Sequence, residues 1–475
     1  MKNLEQFVFY SFLILIVWLP IPLGSNRDWA WAIAELWVAA QSLILVIAYR
    51  GVLPFGALRS YKVLLLGLLG FQIWVLLQTI PWPLDWLALF SEKTAYIYSL
   101  VDAEVGFLSL DSRMSQVSLV KGVTYLLFAV NAAFLVNSSQ RLKLVALSLV
   151  VSGTFQAFYG ATAVLLNVHE SLVFGLPEKD IATGSFVYKN HLANYLMIVL
   201  CVGIGLIVAQ LHVSKSGSWH IRTKRILEGV MSPKMLVRLC LIIMVIALVM
   251  TRSRMGNTAF FVATTLGGAI ALLIYKQKPR ALTALVVSVI AIDTIVVGAL
   301  FGLEKVKQRI VETSLEVESR DQVVIWSLDI IRDFPVFGTG MGSFYAVFPM
   351  YSKTDIGFYD HAHNDYIQFI VEAGLPATLL LGCIVLYSFF RCINTIRTRN
   401  SRTMKGLALG SIMAIIGMLI HISVDFNLQP MANALTFILV LFIANATATL
   451  PAIGTSTAQI KATERPQRKG KVVND

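Results

Sequence analysis

Long apolar segments alternate with polar ones along almost the whole chain. The apolar segments lie near residues 7–24, 30–49, 62–80, 118–136, 144–166, 191–211, 235–251, 256–275, 281–301, 366–390, 406–424 and 430–449. An α-helix needs about 20 apolar residues to cross the roughly 30 Å hydrocarbon core of a bilayer, and each segment is close to that length. The pattern predicts an all-α polytopic membrane protein with about 12 transmembrane helices.

The composition supports the same class of protein. Of the 475 residues, 57% are hydrophobic and 14% are charged, whereas soluble domains carry about 25% charged residues. The first apolar segment is longer than the core of a usual signal peptide, so we interpret it as a retained anchor. The cysteines fall in or beside predicted helices without metal-type spacing, and we expect no disulfide framework. They are Cys201, Cys240, Cys383 and Cys392.

The basic residues indicate how the chain is oriented. Lys and Arg in short loops are retained on the cytoplasmic side of a membrane. If the N-terminus is cytoplasmic, most of the 39 basic residues also face the cytoplasm, in segments near 50–62, 141–143, 212–234, 276–280, 391–405 and 461–471. We therefore predict that both termini are cytoplasmic. Because this topology accounts for the net charge of +12, we expect the lipid bilayer as a partner and no nucleic acid.

This orientation divides the chain into five parts. They are helices 1–5 with an outer loop at 81–117 (residues 1–180), helices 6–9 (181–301), a long outer loop with short helices (302–363), helices 10–12 (364–450) and a disordered cytoplasmic tail (451–475). All the polar motifs then gather on the outer side. Loop 81–117 is rich in aromatic residues, which favour the headgroup level of a membrane, and we expect it to pack as a lid.

The long outer loop is predicted to have structure of its own. Residues 303–315 are amphipathic, and the apolar residues at 324, 325, 328 and 331 share one face of a second helix. Pro335 is expected to end that helix. The glycines at 338, 340 and 342 are spaced like those of a phosphate-binding loop, but no strand precedes them. We therefore favour a tight turn there.

Two cationic motifs lie at helix ends on the outer side. Arg252 and Arg254 follow the seventh helix, where two guanidinium groups can bind a phosphate bidentately. The alternative is a pair of interfacial anchors. Lys189, Asn190 and His191 open the sixth helix, and a helix N-terminus favours anions. Asn190 could instead serve only as the N-cap.

The densest group of titratable residues stands at the start of the tenth helix. It comprises His361, His363, Asn364, Asp365 and Glu372. Asn364, Gln368 and Glu372 recur at helical spacing and predict one polar stripe that faces the helix bundle. A neutral imidazole at His363 can accept a proton from a hydroxyl group, and we expect Asp365 or Glu372 to orient it. Zinc binding is the alternative, but a single His-X-His pair is a weak metal signal.

Three further polar residues belong to the later helices. His421 and Asp425 stand one turn apart at the outer end of the eleventh helix, where they could bind substrate or orient the base. A plain hydrogen bond at the helix end is the alternative. Asp293 is isolated in the ninth helix, and a structural hydrogen bond is the default expectation for it.

The order of these motifs resembles the O-antigen ligase and polymerase superfamily of membrane glycosyltransferases. The motifs are GSF at 184–186, KNHLA at 189–193, TRSR at 251–254, FPVFGTGMGSF at 334–344, HAHNDY at 361–366 and EAG at 372–374. The resemblance extends from about residue 180 to 430. Met255 departs from it, because many members have a small residue at that position.

The resemblance implies both a reaction and a place for it. It implies a GT-C-like fold in the bacterial inner membrane and a metal-independent, inverting glycosyl transfer on the periplasmic face, without a cofactor. The donor would be an undecaprenyl-diphosphate-linked glycan, and the acceptor lipid A core, a growing glycan or a protein. By position, Arg252 and Arg254 would hold the diphosphate and His363 would be the catalytic histidine. Residues two apart on a helix point about 200° away from each other, so the arginines can share a ligand only if a helix ends before or between them. We favour Arg254 for the direct contact.

Three other functions remain open at this point. A secondary transporter would show duplicated halves and polar residues at mid-membrane, and only Asp293 lies that deep. A component of a polysaccharide export complex would need no constellation of His and Arg. A peptidoglycan polymerase is a closer enzyme alternative, although the HAHN motif fits it poorly.

Overall fold

The computed structural model describes residues 2–171, 173–177, 180–210, 233–275, 283, 287–288 and 314–451. Four predictions concern residues outside these ranges. They are the ninth transmembrane segment at 281–301, the hydrogen bond of Asp293, most of the amphipathic segment 303–315 and the disordered tail. These four stay predictions.

The described residues form fifteen α-helices, three short 3-10 helices at Leu23–Ser25, Phe55–Tyr61 and Phe348–Met350, and one two-stranded sheet. The helices are α1 Lys2–Trp18, α2 Asp28–Ala48, α3 Lys62–Thr79, α4 Leu84–Phe90, α5 Glu92–Ser99, α6 Ser112–Leu135, α7 Ser139–Leu165, α8 Lys189–Ala209, α9 Pro233–Met250, α10 Arg254–Ile274, α11 Ser314–Asp333, α12 Phe344–Val347, α13 Asp365–Thr398, α14 Arg402–His421 and α15 Met431–Thr449. Strand β1, Pro81–Pro83, pairs antiparallel with β2, Val105–Phe107.

The prediction of an all-α polytopic membrane protein is confirmed. Within the described part of the chain, nine helices are long and apolar enough to cross a membrane, and α1 and α9 are shorter apolar helices. Eleven of the twelve predicted segments coincide with these helices. The helices recur because each apolar segment must satisfy its backbone hydrogen bonds internally in a lipid environment.

Hydrogen bonds between connecting segments define one face of the bundle, which we call the cap face. The amide of Ala182 donates to the carbonyl of Met250 at 3.1 Å, and the amide of Asp365 donates to Ile422 at 2.9 Å. The segments before α8, after α9, before α13 and after α14 therefore lie together. Helices α4, α5, α11 and α12 belong to the same face.

The opposite face carries basic residues in polar contacts. Arg141 pairs with Glu5, whose side chain is likewise mostly buried. Arg399 donates to the carbonyl of Leu450. Cationic residues at these helix ends agree with the distribution that suggested the orientation.

The outer helix α11 ends where the sequence predicts it to end. Its last residue is Asp333, and Pro335 follows two positions later. Val323, Trp326 and Ile330 form the buried side of the helix and pack against Phe344. The predicted apolar face at 324, 325, 328 and 331 is not the buried one, since Ile325 and Leu328 are exposed. The cap therefore has a small apolar core of its own, separate from that of the membrane helices.

Helix α13 begins at the predicted place but is broken inside. Gly374 has φ 80° and ψ 168°, a backbone conformation that is essentially restricted to glycine. The carbonyls just before the break accept hydrogen bonds from other segments: Glu372 accepts from Gly340 at 2.9 Å, and Ala373 accepts from the Trp74 indole at 2.8 Å. Segment 365–373 thus belongs to the cap face, and segment 375–398 crosses the bundle.

Among the described helices, α8 and α14 approach each other most closely. A β-carbon added to Gly205 would lie 2.6 Å from the carbonyl oxygen of Gly406, and one added to Gly410 would lie 2.7 Å from that of Cys201. Small residues let two membrane helices approach with their backbones almost touching. The two helices run antiparallel, so that the start of α8 and the end of α14 meet at the cap face.

Candidate active site

His363 stands in a strained turn at the mouth of α13. Its φ is 49°, in the left-handed region that costs a non-glycine residue about 1–3 kcal/mol. The next residue, Asn364, is the N-cap, and its side chain accepts from the amides of Tyr366 and Ile367. The turn aims the imidazole away from the helix and toward the loop between α14 and α15.

Asp425 is the carboxylate that faces His363. The distance from His363 Nδ1 to Asp425 Oδ1 is 3.5 Å, long for a hydrogen bond and short for an ionic contact. The side chain of Asp425 is 2% exposed and that of His363 is 16% exposed. Burial by itself raises the pKa of Asp425, but the histidines around it outweigh burial and hold that pKa below its ordinary value. The carboxylate is therefore ionised at neutral pH.

Asn190 connects this carboxylate to the start of α8. Its amide nitrogen donates to Asp425 Oδ2 and to the hydroxyl of Tyr188 at 2.8 Å. Helix α8 begins at Lys189 with Tyr188 at the N-cap position and no side-chain cap. The alternative that Asn190 serves only as an N-cap is therefore wrong. Lys189, the first residue of α8, is partly exposed on the same face.

Phe426 is the aromatic centre of the site. The ring of His361 stacks on it with centroids 4.4 Å apart. His363 and His191 meet it edge-on at 4.8 Å and 4.9 Å, and Tyr188 lies parallel to it at 5.7 Å. Phe426 thereby fixes three histidines from two distant parts of the chain. The only signal of this role in the sequence is an aromatic residue directly after Asp425.

His421 joins the arginine turn to the same site. Its Cε1 lies 3.3 Å from where a β-carbon on Gly256 would stand, so α14 ends against the first turn of α10. We call His191, His361, His363, His421, Asp425 and Phe426 the histidine site. Five of these six residues come from the predicted candidates.

The arginine turn has the break that a shared ligand requires. Helix α9 ends at Met250 and α10 begins at Arg254, so both arginines follow the end of a helix. Arg252 has φ 50°, and both side chains are exposed. The Ser253 hydroxyl caps α10 by accepting from the amide of Gly256 at 3.2 Å. The backbone of this turn lies next to the histidine site, because Gly256 in the first turn of α10 packs against His421.

Several buried polar atoms in this region lack hydrogen-bond partners among the described residues. They include both ring nitrogens of His421, Nε2 of His191 and both amide atoms of Asn427. Nδ1 of His361 and of His363 also lack a well-formed hydrogen bond, although each has a carboxylate oxygen within 3.5 Å. Buried polar groups in native proteins are almost always paired with protein, water or ligand. The unpaired atoms therefore mark the histidine site as a place where polar molecules are held.

Asp365 and Glu372 have structural partners, which corrects their expected role. Asp365 is fully buried and accepts from the amide of Leu428 at 2.8 Å and from Gln429 Nε2 at 3.1 Å. Glu372 accepts from Gln368 Nε2 at 2.7 Å. These hydrogen bonds fix the loop after Phe426 and the polar stripe of α13. The orienting position beside His363 belongs instead to Asp425, which approaches from a different helix pair.

The glycine-rich segment at 338–342 forms a tight turn. Gly338, Gly340 and Gly342 all have positive φ values, of 69°, 104° and 80°. A β-carbon on Gly338 would stand 2.6 Å from the carbonyl of Glu372, so the turn packs directly against α13. Its geometry serves this packing, in agreement with the turn interpretation.

Arg320 reaches the site from the outer helix α11, and no motif in the sequence marks it as functional. It hydrogen-bonds to Tyr188. Burial and Asp425 raise the pKa of Tyr188 to about 12, against the opposing influence of Arg320 and Asn190. Tyr188 therefore stays a neutral hydroxyl, and a third guanidinium stands beside the histidine site. Only a contact between distant segments distinguishes Arg320 from other arginines of the chain.

The described residues contain no group of three or more His, Cys, Asp or Glu side chains placed to hold a metal ion. His361 directs Nδ1 toward Asp360 at 3.0 Å, and His363 directs Nδ1 toward Asp425. The two histidines of the HAHN motif therefore use these nitrogens for different carboxylates.

A family comparison agrees with this geometry. Residues 239–382 match the family model Wzy_C, described as O-antigen ligase. The match supports the resemblance of this segment to the O-antigen ligase superfamily. The matched ligase segment contains the arginine turn, Arg320 and His363, whereas His191 and Asp425 lie outside it. No curated protein matches the chain. The match supports an O-antigen ligase/polymerase-type membrane glycosyltransferase.

Proposed function

We propose that this protein transfers a glycan from an undecaprenyl-diphosphate donor to an acceptor hydroxyl at the histidine site, with inversion and without a metal ion. The observation that carries the proposal is the pairing of His363 with buried Asp425 next to the arginine turn. Ligation onto lipid A core is the favoured outcome. Extension of a growing glycan and transfer to protein are the alternatives.

His363 is the general base in this proposal. Its Nδ1 faces Asp425, which favours the tautomer with the proton on Nδ1 and leaves Nε2 to accept the proton of the acceptor hydroxyl. The ionised carboxylate stabilises the imidazolium as it forms. The acceptor oxygen bonds to the sugar C1 from the face opposite the diphosphate, which inverts the anomeric centre.

The arginine turn acts on the leaving group. As the bond from C1 to the diphosphate oxygen breaks, the electron pair leaves with that oxygen and its negative charge grows. Fixed cations at this position stabilise the transition state more than the ground state. Arg254 is favoured for the direct contact because it is the first residue of α10, so the helix N-terminus adds to its charge. Arg252 precedes it in the same turn, Arg320 hydrogen-bonds to Tyr188 beside the histidine site, and Lys189 is the first residue of α8.

A membrane cavity supports a donor that carries a lipid. The cavity of about 270 Å³, which we call the tail slot, lies below Asp365 and is lined by Phe71, Phe369, Gly382 and Leu441 among mainly apolar residues. Along α15 the cavity extends from Ala434 to Leu441, which is about 10 Å at 1.5 Å per residue, or roughly a third of the hydrocarbon core. Its upper end lies beside the loop that carries Phe426. A hydrocarbon tail in this slot would bring its headgroup to the histidine site.

The proposal also places the cap face in the periplasm. Under the positive-inside rule the face with Arg141 and Arg399 is cytoplasmic, so the histidine site would open on the other side of the inner membrane. Both chain termini would then be cytoplasmic. Cysteines introduced at exposed cap residues should react with a membrane-impermeant maleimide in intact spheroplasts.

The direct test is transfer by the purified protein. It should be incubated with an undecaprenyl-diphosphate glycan and, separately, with lipid A core, a growing glycan and a protein acceptor. Transfer to one of the three supports the proposal and names the acceptor, and the product's anomeric configuration, read by NMR, should be inverted. Absence of transfer to all three, from a folded protein, contradicts the enzyme assignment and favours an export-complex or transport role.

A further inference from the structure

A second cavity lies on the cap, away from the histidine site. Its volume is about 490 Å³, and it opens between the α4–α5 pair and the C-terminal end of α11. We call it the rim pocket. Its walls include Phe90, Lys93 and Tyr96 on one side and Arg332, Asp333 and Phe337 on the other. None of these residues enters the proposed chemistry.

The chemistry of the rim pocket suits a carbohydrate. Aromatic rings offer flat apolar faces that match the C–H face of a sugar ring. Carboxylate and guanidinium groups make charge-assisted, often bidentate, hydrogen bonds, which suit neighbouring hydroxyls. Asp333, Lys93 and Arg332 supply both acceptors and donors, so the pocket is not selective for an anion. Lys93 pairs with Asp333 at 3.6 Å across the pocket, and a purely hydrocarbon ligand would make no use of these charged groups.

The walls of the rim pocket are held in place by neighbouring contacts. Phe337 stacks on Trp74 with centroids 4.7 Å apart, and Phe90 meets Phe337 edge-on at 5.8 Å. Asp333 accepts from the hydroxyl of Tyr351 at 2.6 Å. A pocket whose walls are already fixed loses little freedom when a ligand binds.

The rim pocket lies too far from the histidine site to take part in the transfer reaction. Helix α11 has Arg320 near the histidine site and Asp333 at the rim pocket. At 1.5 Å per residue these two positions are about 20 Å apart along the helix. A ligand held at both places has to be a chain of several sugars.

We propose that the rim pocket is a distal subsite that binds the donor glycan several sugars away from the reacting C1. The subsite rests on the proposed glycosyl transfer for its biological purpose, but its binding can be measured without any transfer. It makes the enzyme favour long donor glycans over a single repeat unit.

The first test measures binding alone. Surface polysaccharide from the cells that make this protein is freed of lipid, cut to one-repeat and many-repeat fragments and labelled with a fluorophore. Binding to the full-length protein in nanodiscs is then followed by fluorescence anisotropy. Tyr96→Ala and Arg332→Ala should weaken binding of the long fragment by about three- to tenfold, the range for loss of one aromatic or charge-assisted contact.

The variants are chosen so that folding is not at issue. The Tyr96 residue is 56% exposed and the Arg332 side chain is 79% exposed. Tyr96→Phe keeps the ring and should retain most of the binding. Lys353→Ala is the matched control, because Lys353 also pairs with α11, through Asp329 at 2.9 Å, but does not line the rim pocket. Unchanged binding in Tyr96→Ala and Arg332→Ala overturns the subsite.

The second test separates the subsite from the proposed function. With a many-repeat donor, Tyr96→Ala and Arg332→Ala should raise KM with kcat unchanged, and with a one-repeat donor neither constant should move. Equal effects on both donors overturn the distal position. If the wild type transfers nothing but the variants still lose glycan binding, the transfer proposal fails and the subsite stands.

Discussion

Helices α8 and α14 touch at Gly205 and Gly406 near one end, and at the other end they supply His191 and His421 to the histidine site. At the glycine contact the backbones are so close that a single added carbon overlaps. At the histidine site the same helices leave buried ring nitrogens without partners among the described residues. The two helices are therefore closely packed at the glycine end, whereas at the histidine end they have buried polar groups without hydrogen-bond partners among the described residues. The residues that stabilise this helix pair and the residues proposed for the reaction therefore lie at opposite ends of the two helices.

The largest expected effect comes from removing the base. His363→Ala should lower kcat by about 10²- to 10⁴-fold, the usual contribution of a general base. Thermal unfolding should change little, because the residue already sits in a strained turn. His169→Ala, an exposed histidine on the same face, should keep full activity. Transfer by His363→Ala at the wild-type rate would remove this residue from the mechanism.

Loss of the orienting carboxylate should have the next largest effect. Asp425→Asn keeps the shape but loses the charge that stabilises the imidazolium, and we expect activity to fall about 10- to 100-fold, as for other groups that orient a histidine. Asp365→Asn changes a carboxylate whose described partners are Leu428 and Gln429. Measured side by side, Asp365→Asn should cost stability more than activity. If Asp365→Asn lowers activity more than Asp425→Asn does, Asp365 is the carboxylate that orients His363.

A larger residue at Gly205 should lower the thermal stability of the protein. Gly205→Val forces a side chain against the backbone of Gly406, and overpacking of this kind costs about 1–3 kcal/mol. The melting temperature in detergent should fall, and activity should follow the remaining folded fraction. Gly382→Ala is the control, because an added β-carbon there meets nothing within 4 Å. Equal melting temperatures for both variants would contradict the comparison.

Filling the tail slot should have a smaller effect, which is confined to KM for the lipid-linked donor. Gly382→Phe places a ring in the slot, and each methylene group that it displaces costs about 0.8 kcal/mol of apolar burial. Displacing one or two raises KM for the lipid-linked donor by about 4- to 15-fold and leaves kcat unchanged. A donor with a truncated tail should be less affected. Equal KM increases for the long and short tails would place the tail elsewhere.

The smallest expected effect is a change with pH in the thermal stability that Asp425 contributes. The pKa of Asp425 is lowered in the folded protein, so its contribution to stability is present above the unfolded value of about 3.9. This contribution is lost as pH falls through the lowered pKa. The difference in melting temperature between wild type and Asp425→Asn should therefore stay constant from pH 7 to about 5 and shrink below about 4. A difference that grows toward acid pH would reverse the assigned direction.

Much of the fold could be predicted because it depends on local patterns. Apolar length is enough to place membrane helices, and helical spacing together with Pro335 places the end of α11. The break at Gly374 has a local signal in the sequence, since Gly374 followed by Pro376 is the pattern of a helix end, but the contacts that hold it are not local. It results from contacts with Trp74 and with the turn at Gly340, which are distant in sequence.

The candidate site divides in the same way. Titratable residues at helix ends could be recognised one by one, since polar groups beside apolar segments are uncommon. Their partners could not be recognised. Asp425 faces His363 only because α13 and α14 meet, and Phe426 and Arg320 become part of the site only through packing. The spacing of residues along one helix indicates which of them share a face, but it does not indicate which residue of another segment lies against that face.

The break at Gly374 has a mechanical consequence. The amide of Leu375 donates to Pro335 at 3.0 Å, so the helical hydrogen-bond ladder does not continue across this point. A membrane that thins or thickens tilts segment 375–398, but without a continuous ladder that tilt is not passed on as a rigid rotation. We therefore expect Gly374 to uncouple the tilt of segment 375–398 from segment 365–373, which lies next to the histidine site. Transfer rates in nanodiscs of short-chain and long-chain lipids should therefore agree, and a steep dependence on chain length would show that the two segments move as one rod.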